Sequence, residues 1–252
     1  MGDVLVLCYH AVSPSWPAPL SVLPERLDEQ LELLVGRGYR GVTFTEAVSG
    51  PPHDKALAVT FDDAYVSTLR LGLPILERHG LPGTVFAPSD YVDSDRPIAW
   101  EGMERWLGTE HEAELRCMTT SELNELRAAG WEVGSHTCSH PMLPTVADDQ
   151  LHEELSRSKD ALEQKLSAPC TSIAYPYGAM DERVTTAAAQ AGYAAAAALA
   201  TPGGPVEPHR WPRVASYHTD SLTRFKLKVS PAARRVRLAE ARTVIRSALR
   251  RS

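Results

Sequence analysis

The sequence predicts an α/β fold in which helices surround a parallel sheet. Short apolar segments, often β-branched, alternate along the chain with longer segments whose apolar residues recur at helical spacing. This alternation is typical of βα units, because each strand needs a crossover helix before the next parallel strand. The length of 252 residues, with 43% hydrophobic and 23% charged residues, suits one large domain with a single core.

Seven segments have the composition of buried strands. They cover residues 4–8, 57–60, 84–87, 131–135, 171–174, 193–198 and 214–217. The strand at 193–198 competes with a second interpretation, because the alanine-rich segment 185–200 also suits a continuous helix. Gly192 favours a helix end followed by a buried strand, and we predict that arrangement. In such a fold the carboxyl ends of the strands are where active sites are assembled.

Three helices between these strands have recognisable ends. The first begins at Pro24, carries leucines on one face and ends near Gly36. The second begins with a capping box at 119–122, where threonine and glutamate stand three residues apart, and it ends at Gly130. The third spans about residues 147–166.

Composition and charge argue against several classes of function. A net charge of -6 disfavours broad electrostatic binding of nucleic acid, which needs a basic surface. No segment approaches the roughly 18 apolar residues of a membrane span, and the apolar run 4–8 is too short for a signal-peptide core. We therefore expect a cytoplasmic protein. Its cysteines form no C-x-x-C pair, and we expect reduced thiols. They are Cys8, Cys117, Cys138 and Cys170.

The charge is distributed unevenly, and we divide the chain into a body, 1–229, and a basic segment, 230–252. That segment contains seven arginines and one glutamate, and its apolar residues follow helical spacing. One interpretation, which we prefer, is a solvated helix packed on the acidic body. The other is a contact with an anionic membrane surface or a partner. The sequence carries no signal for the oligomeric state.

Two adjacent carboxylates, Asp62 and Asp63, follow the predicted strand 57–60. Two neighbouring ionised carboxylates in a cleft repel each other unless a cation or an arginine neutralises them. One interpretation is therefore a catalytic or metal-binding pair at the carboxyl edge of the sheet. The alternative is that one aspartate N-caps a helix predicted at 64–76. The pair alone does not decide between them.

Two histidines, His136 and His140, follow the predicted strand 131–135 in the segment His-Thr-Cys-Ser-His-Pro. Neutral imidazole is a common zinc ligand, and two histidines four residues apart can bind one ion from a single turn of chain. A carboxylate from the aspartate pair would complete three protein ligands and leave positions open for water and substrate. The alternative is a surface loop with two unrelated histidines.

A third polar segment, Tyr-Pro-Tyr-Gly at 175–178, follows the predicted strand 171–174. Its proline has no N–H and stiffens the turn, so the N–H of Tyr177 can be presented to a ligand. A fixed backbone N–H in a water-poor cleft can stabilise a developing oxyanion. The alternative is an ordinary turn.

In this order, the segments 60–63, 136–141 and 175–178 resemble the motifs of the polysaccharide deacetylase family (NodB homology, carbohydrate esterase family 4). The segment Leu-Cys-Tyr-His-Ala-Val at 7–12 resembles the Tyr-His-x-Val start of one branch of that family. The resemblance covers residues 4–217. It implies a distorted (β/α)7 barrel, a divalent metal at its mouth, and hydrolysis of the N-acetyl group of an amino sugar with release of acetate. The body 1–229 would then be the catalytic domain.

The resemblance also implies a role for each matching residue. Asp62 would be the general base. Asp63, His136 and His140 would bind the metal, Zn²⁺ first and Co²⁺ or Ni²⁺ as alternatives. The N–H of Tyr177 would help to hold the oxyanion. A carboxylate that is not bound to the ion remains able to take a proton, which agrees with this division of roles.

The leaving amine needs a proton, and we assign His10 as its donor, with His218 near the last predicted strand as the alternative. His10 is otherwise a histidine buried at a strand end. The sequence departs from the family pattern at Ala64, where glycine is usual, and the extra methyl group is expected to crowd the metal. No arginine begins the segment 175–178, so we assign Arg213 to orient the base; the alternative is an ordinary surface arginine.

Trp100 and Trp211 either line a sugar site or pack in the core, and we prefer core packing. Because no secretion signal is visible, a cytosolic sugar, a glycosylated metabolite or a lipid-linked precursor is favoured over cell-wall polymer. Each would carry an N-acetylglucosamine-type unit. Two other functions use the same site, because fold and metal do not select the substrate. These are deacylation of a non-sugar amide, and sugar binding by an inactive homologue.

Overall fold

Seven parallel strands close into a barrel in the computed structural model, which describes residues 3–51, 54–199 and 206–234. The strands are β1 (Asp3–Tyr9), β2 (Ala11–Val12), β3 (Ser21–Val22), β4 (Arg40–Gly41), β5 (Lys55–Phe61), β6 (Gly83–Ala87), β7 (Glu132–Ser135), β8 (Ser172–Ala174), β9 (Ala195–Leu199) and β10 (Trp211–Ala215). The barrel order is β1, β10, β9, β8, β7, β6 and β5, and β5 pairs back with β1. The structure confirms the predicted fold.

All seven predicted strands are present, and the last begins three residues earlier than predicted, at Trp211. The sequence missed β2, β3 and β4, which have two residues each and are too short to show an alternating pattern. On the side of β5 away from β1, β4 pairs with its first half and β6 with its second half.

The helices connect the strands on the outside of the barrel. They are α1 (Pro24–Gly36), α2 (Phe44–Ser49), α3 (Leu73–Arg78), α4 (Thr120–Ala128), α5 (Asp148–Leu166), α6 (Glu182–Gln190) and α7 (Leu222–Lys228). The predicted capping box is present, since Thr119 and Glu122 bond reciprocally at the start of α4. The alanine-rich segment forms α6, turns at Gly192 with φ 83° and continues as β9, as predicted. Among the described helices, none has both the length and the apolar composition needed to cross a membrane.

Small side chains fill much of the barrel interior. Ala58, Ala174, Ala195 and Ala197 form an inner cluster with a few aromatic rings, separate from the larger cluster that includes the helices. Residues two apart on a strand point to the same side, so Arg213 follows Trp211 of that inner cluster into the barrel. The small residues leave room there for a long cationic side chain.

The chain returns to the barrel after α7. Arg234, the first arginine of the basic segment, donates hydrogen bonds to Asp3 Oδ1 at 2.7 Å and to the hydroxyl of Tyr39 at 3.1 Å. Residues 235–252 lie outside the described residues, so the amphipathic helix and its membrane or partner contact stay predictions, as does the boundary at 229. All four cysteines are buried and unpaired, as expected for reduced thiols.

Candidate active site

The predicted site residues converge at the carboxyl ends of the barrel strands, where a cavity of about 430 Å³ opens. That volume lies within the usual range of small-molecule sites. Arg213 is fully buried and reaches the cavity only through Asp62. The predicted site residues that line the cavity are His10, Asp62, Asp63, His136, His140 and Tyr177.

Asp63, His136 and His140 form a compact donor cluster. Asp63 Oδ1 lies 3.3 Å from His136 Nε2 and 3.8 Å from His140 Nε2, and the donor atoms lie within 4.8 Å of one another. Asp63 Oδ1 is buried and has no hydrogen-bond partner among the described residues. One carboxylate and two imidazoles are a donor set of zinc hydrolases. The residues present therefore fit a divalent metal ion.

The electrostatics of this cluster shift the pKa values of the two histidines in opposite directions. Burial lowers the pKa of His136, but the carboxylates of Asp63 and Asp62 outweigh burial, so its pKa is raised. Burial and the charge of His136 lower the pKa of His140 to about 3, which keeps that imidazole neutral, as ligation requires. His136 Nδ1 lies 2.8 Å from the carbonyl oxygen of Ala174, a contact that leaves Nε2 directed at Asp63.

The loop that carries the two histidines is held in an unusual conformation. Thr137 and His140 both have φ 66°, in the left-handed region that non-glycine residues rarely adopt. Glu154 of α5 accepts hydrogen bonds from the backbone N–H groups of Cys138, at 2.8 Å, and Ser139, at 3.0 Å. The hydroxyl of Ser139 also donates to Glu154, at 2.6 Å. We call these three hydrogen bonds from the loop to Glu154 the Glu154 clamp. The sequence analysis missed it, because α5 is a separate element that begins eight residues after His140.

Asp62 forms an ion pair with Arg213 inside the barrel. The guanidinium donates to Oδ1 at 2.6 Å and to Oδ2 at 2.8 Å, and also to the hydroxyl of Thr60 at 3.0 Å. Burial raises the pKa of Asp62, but the charge of Arg213 outweighs it and holds the pKa well below its usual range. The structure therefore contradicts the surface-arginine alternative for Arg213.

The helix-capping alternative for the aspartate pair is also wrong. The predicted helix at 64–76 is present but begins at Val66, and it passes through a π-helical turn, Thr68–Gly72, into α3. Ser67 precedes the turn, and neither aspartate caps it. Both carboxylates face the barrel mouth instead, Asp62 toward Arg213 and Asp63 toward His136.

The two candidates for the proton donor differ in position. His10 lines the cavity, and its Nε2 lies 4.0 Å from Asp62 Oδ2. His218 does not line the cavity, and its backbone N–H donates to Pro19. Tyr177 has φ 59°, lines the cavity and is 40% exposed. The geometry favours His10 over His218, whereas the catalytic roles of His10 and Tyr177 stay predictions.

Three further residues lie elsewhere than the sequence suggested. Ala64 has φ 51° and is fully buried in the hydrophobic core, not on the cavity wall, so the expected crowding of a metal has no support in the structure. Trp211 packs in the barrel interior, as preferred. Trp100 only partly follows the core interpretation, because it contacts the core but also lines the cavity and stacks on His140.

Sequence reasoning missed two other residues at this site. The thiol of Cys8 lies 3.5 Å from Asp62 Oδ2, and Tyr217 lines the cavity. Cys8 could have been found, because it stands two residues before His10 and side chains two residues apart on a strand point to the same face. The position of Tyr217 at the cavity was not predicted, because the predicted strand ended at residue 217, two residues after the true end of β10.

The barrel and its buried Asp-His-His cluster define an α/β-barrel protein with a candidate metal site. The polysaccharide deacetylase family model matches residues 49–196. The chain therefore belongs to the polysaccharide deacetylase family, which confirms the resemblance seen in its motifs. YxkH of Bacillus subtilis (strain 168), whose name places it among polysaccharide deacetylases, is 25% identical over 193 residues, which are 75% of this chain and 61% of YxkH. The chain thus spans about three fifths of the length of that curated relative.

Solved structures share the fold. The Streptococcus pyogenes deacetylase PplD, in complex with acetate, superposes with a TM-score of 0.75 at 23% identity, over 91% of this chain and 99% of PplD. BC0361, a polysaccharide deacetylase from Bacillus cereus, has a TM-score of 0.73 at 26% identity, over 90% of this chain and 69% of BC0361. IcaB from Ammonifex degensii has a TM-score of 0.71 at 23% identity, over 95% and 98% of the two chains.

Proposed function

We propose that this protein hydrolyses the N-acetyl group of an amino sugar with the help of a bound divalent metal ion, releasing acetate and a free amine. The substrate would be a cytoplasmic saccharide, glycosylated metabolite or lipid-linked precursor with an N-acetylglucosamine-type unit. One observation carries the proposal. The donor atoms of Asp63, His136 and His140 lie within 4.8 Å of one another, on the wall of a cavity that is also lined by Asp62, the partner of the buried Arg213.

Asp63, His136 and His140 would hold the ion, with Zn²⁺ preferred and Co²⁺ or Ni²⁺ as alternatives. When bound, such an ion supplies Lewis-acid chemistry: it polarises an acyl carbonyl and lowers the pKa of water. The remaining steps fall to side chains of this chain.

Asp62 acts as the general base. Its low pKa, set by Arg213 against the effect of burial, keeps it ionised and able to accept a proton from the attacking water. Arg213 fixes the orientation of the carboxylate through both oxygens. Of the two oxygens, Oδ2 faces His10 and is the atom we assign as proton acceptor.

His10 donates the proton that the amine nitrogen needs as the C–N bond breaks. It lines the same cavity as Asp62, so base and acid act on one bound amide. The backbone N–H of Tyr177 would donate a hydrogen bond to the developing oxyanion. The net reaction adds one water across the amide bond and yields acetate and an amine.

The test combines metal analysis with acetate release from N-acetylated sugars, oligosaccharides, nucleotide sugars and simple acyl amides. We expect stoichiometric metal, acetate release from at least one amino sugar, and a loss of about 100-fold or more in Asp62→Asn. Asp28→Asn is the matched control, because Asp28 also pairs with an arginine, Arg78, but lies on the exposed surface. A metal-free protein, or an Asp62→Asn variant as fast as wild type, would contradict the proposal. Turnover of simple amides alone would change the substrate class.

A further inference from the structure

The two histidines of the candidate metal cluster are oriented in different ways. His136 is fixed by the contact of its Nδ1 with the carbonyl oxygen of Ala174, at 2.8 Å. The Nδ1 of His140 is buried and has no hydrogen-bond partner among the described residues. Metal-binding histidines almost always use that second nitrogen in a hydrogen bond, which fixes the ring plane and the tautomer. Another contact must therefore orient the ring of His140.

The indole of Trp100 makes that contact. Its ring and the imidazole of His140 are nearly parallel, with an interplanar angle of 11° and centroids 3.8 Å apart. The rings of Tyr177 and His136 meet the same imidazole edge-on, at 4.6 Å and 4.8 Å. Stacking on one face with edge contacts around it restricts tilting of the ring, because each tilt breaks a close aromatic contact.

We propose that Trp100 is a positioning residue for the metal site, and that its stacking takes the place of the missing hydrogen bond to His140. The inference rests on the proposed function, because it assigns His140 to a metal. It also gives a role to a residue outside the three motif segments. Trp100 acts through His140 and needs no contact with the ion.

Trp100 is itself held in place, as a positioning residue must be. Its ring packs edge-on against Tyr91, with centroids 5.4 Å apart. Its carbonyl oxygen accepts a hydrogen bond from the N–H of Met103 at 2.8 Å, and the N–H of Ile98 donates to Leu115 at 2.8 Å. These bonds tie both sides of Trp100 into the long connection between β6 and α4.

Trp100 also lines the cavity, so a second role as a platform for the sugar ring has to be separated from positioning. A platform acts only when substrate is present, and its loss raises KM. A positioning residue acts on the free protein, and its loss weakens metal binding before any substrate is added. Metal affinity without substrate therefore distinguishes the two roles.

The first experiment measures Zn²⁺ affinity by competition with a chelating dye. We expect Trp100→Ala to bind Zn²⁺ about 10- to 100-fold more weakly, the usual loss for a supporting contact of a metal ligand. Trp100→Phe keeps an aromatic face and should stay within about 3-fold of wild type. Trp100→Ala with wild-type Zn²⁺ affinity and only a raised KM would overturn the proposal. A wild type that binds no Zn²⁺ would overturn the proposed function as well, and the wild-type titration alone reveals that case.

The second experiment does not depend on how the alanine variant folds. Co²⁺ quenches indole emission at short range, so Co²⁺ binding should quench the wild-type tryptophan fluorescence. Trp100→Phe should lose most of that quenching. Trp106→Phe is the matched control, since it removes one indole that packs against Trp16 and does not line the cavity. Quenching that persists in Trp100→Phe would contradict the proposal, whether or not Trp106→Phe changes it.

Discussion

Arg213 donates to both carboxylate oxygens of Asp62, at 2.6 Å and 2.8 Å, although the two residues are 151 positions apart in the sequence. Both side chains are buried, so the pair loses hydration that its mutual attraction must offset. A hydrophobic pair of similar size would often be at least as stable. Under the proposed function the pair serves catalysis, because two hydrogen bonds from a planar guanidinium fix the plane of the carboxylate.

Substitution of Arg213 should affect activity and stability differently. Arg213→Lys keeps the charge but loses the second hydrogen bond, and we expect kcat/KM to fall at least about 10-fold. Arg213→Met leaves a buried carboxylate unpaired and should lower the free energy of unfolding by about 3–5 kcal/mol. Acetate release and urea denaturation measure the two effects. Arg78→Lys, in an exposed pair, is the control. Arg213→Lys with wild-type kinetics would show that the second hydrogen bond has no catalytic value.

The position of His10 predicts which histidine supplies the proton. His10→Gln should lower kcat by about 100-fold or more, because an unprotonated amine is a poor leaving group. His218→Gln should remain near wild type, because His218 does not line the cavity. Acetate release from both variants, with circular dichroism to confirm folding, decides between them. A larger loss in His218→Gln than in His10→Gln would reverse the assignment.

Asp93, which lies away from the cavity, should make a pH-dependent contribution to the free energy of unfolding. Partial burial raises its pKa, but hydrogen bonds from Lys165 and Thr120 outweigh burial and lower the pKa to about 2. A lowered folded-state pKa stabilises the fold above the unfolded value, near 3.8, and this contribution is lost as the pH falls toward 2. Asp93 joins the start of α4 to the end of α5 in this way.

Asp93→Asn should lower the free energy of unfolding by about 1 kcal/mol at pH 7, a value reduced for the exposure of this side chain. Asparagine tolerates the left-handed backbone at this position, where φ is 66°, so the change tests charge and not strain. The difference from wild type should shrink between about pH 4 and pH 2. Urea denaturation across that range measures it, with the exposed Asp95→Asn as control. A constant deficit would mean that charge is not the cause.

Much of the site was predictable because its residues follow strands. Asp62, Asp63, His136 and Tyr177 each come soon after an apolar run, and in a parallel barrel such positions share one edge. The sequence therefore placed them together without any knowledge of distances. The position of Arg213 was harder to predict. The side chain of an arginine on a barrel strand points either into the barrel or away from it, and the charge of the carboxylate pair favours the inward direction.

The contacts of Trp100 with His140 and of Glu154 with the histidine loop, which the sequence missed, follow no local pattern. Trp100 lies in the connection between β6 and α4, which contains only short turns and shows no periodicity. Glu154 lies on a helix that was predicted. The sequence pattern of that helix indicates only that the face carrying Glu154 is partly buried. Its contact with the loop at 136–140 depends on how α5 crosses the carboxyl end of β7. Distances across the fold decide both cases.

Glu154 gives a final prediction about the loop that carries both histidines. Its carboxylate accepts two backbone N–H groups and the hydroxyl of Ser139. Glu154→Leu leaves these donors without a partner and should cost about 1–3 kcal/mol of stability. It also frees the left-handed residues Thr137 and His140 to relax, which should weaken Zn²⁺ binding about 10- to 100-fold.

Two variants separate this clamp from a general loss of stability. Glu154→Gln keeps one oxygen for the N–H groups, and its amide can donate to the hydroxyl of Ser139, so we expect Zn²⁺ affinity within about 3-fold of wild type. Glu153→Leu changes the neighbouring glutamate, which is 66% exposed and contacts Arg157, and should bind Zn²⁺ like wild type. If Glu154→Leu keeps full Zn²⁺ affinity at a temperature where it is folded, the clamp does not position the ligands. If Glu154→Gln is as weak as Glu154→Leu, the charge of the carboxylate matters more than its hydrogen bonds.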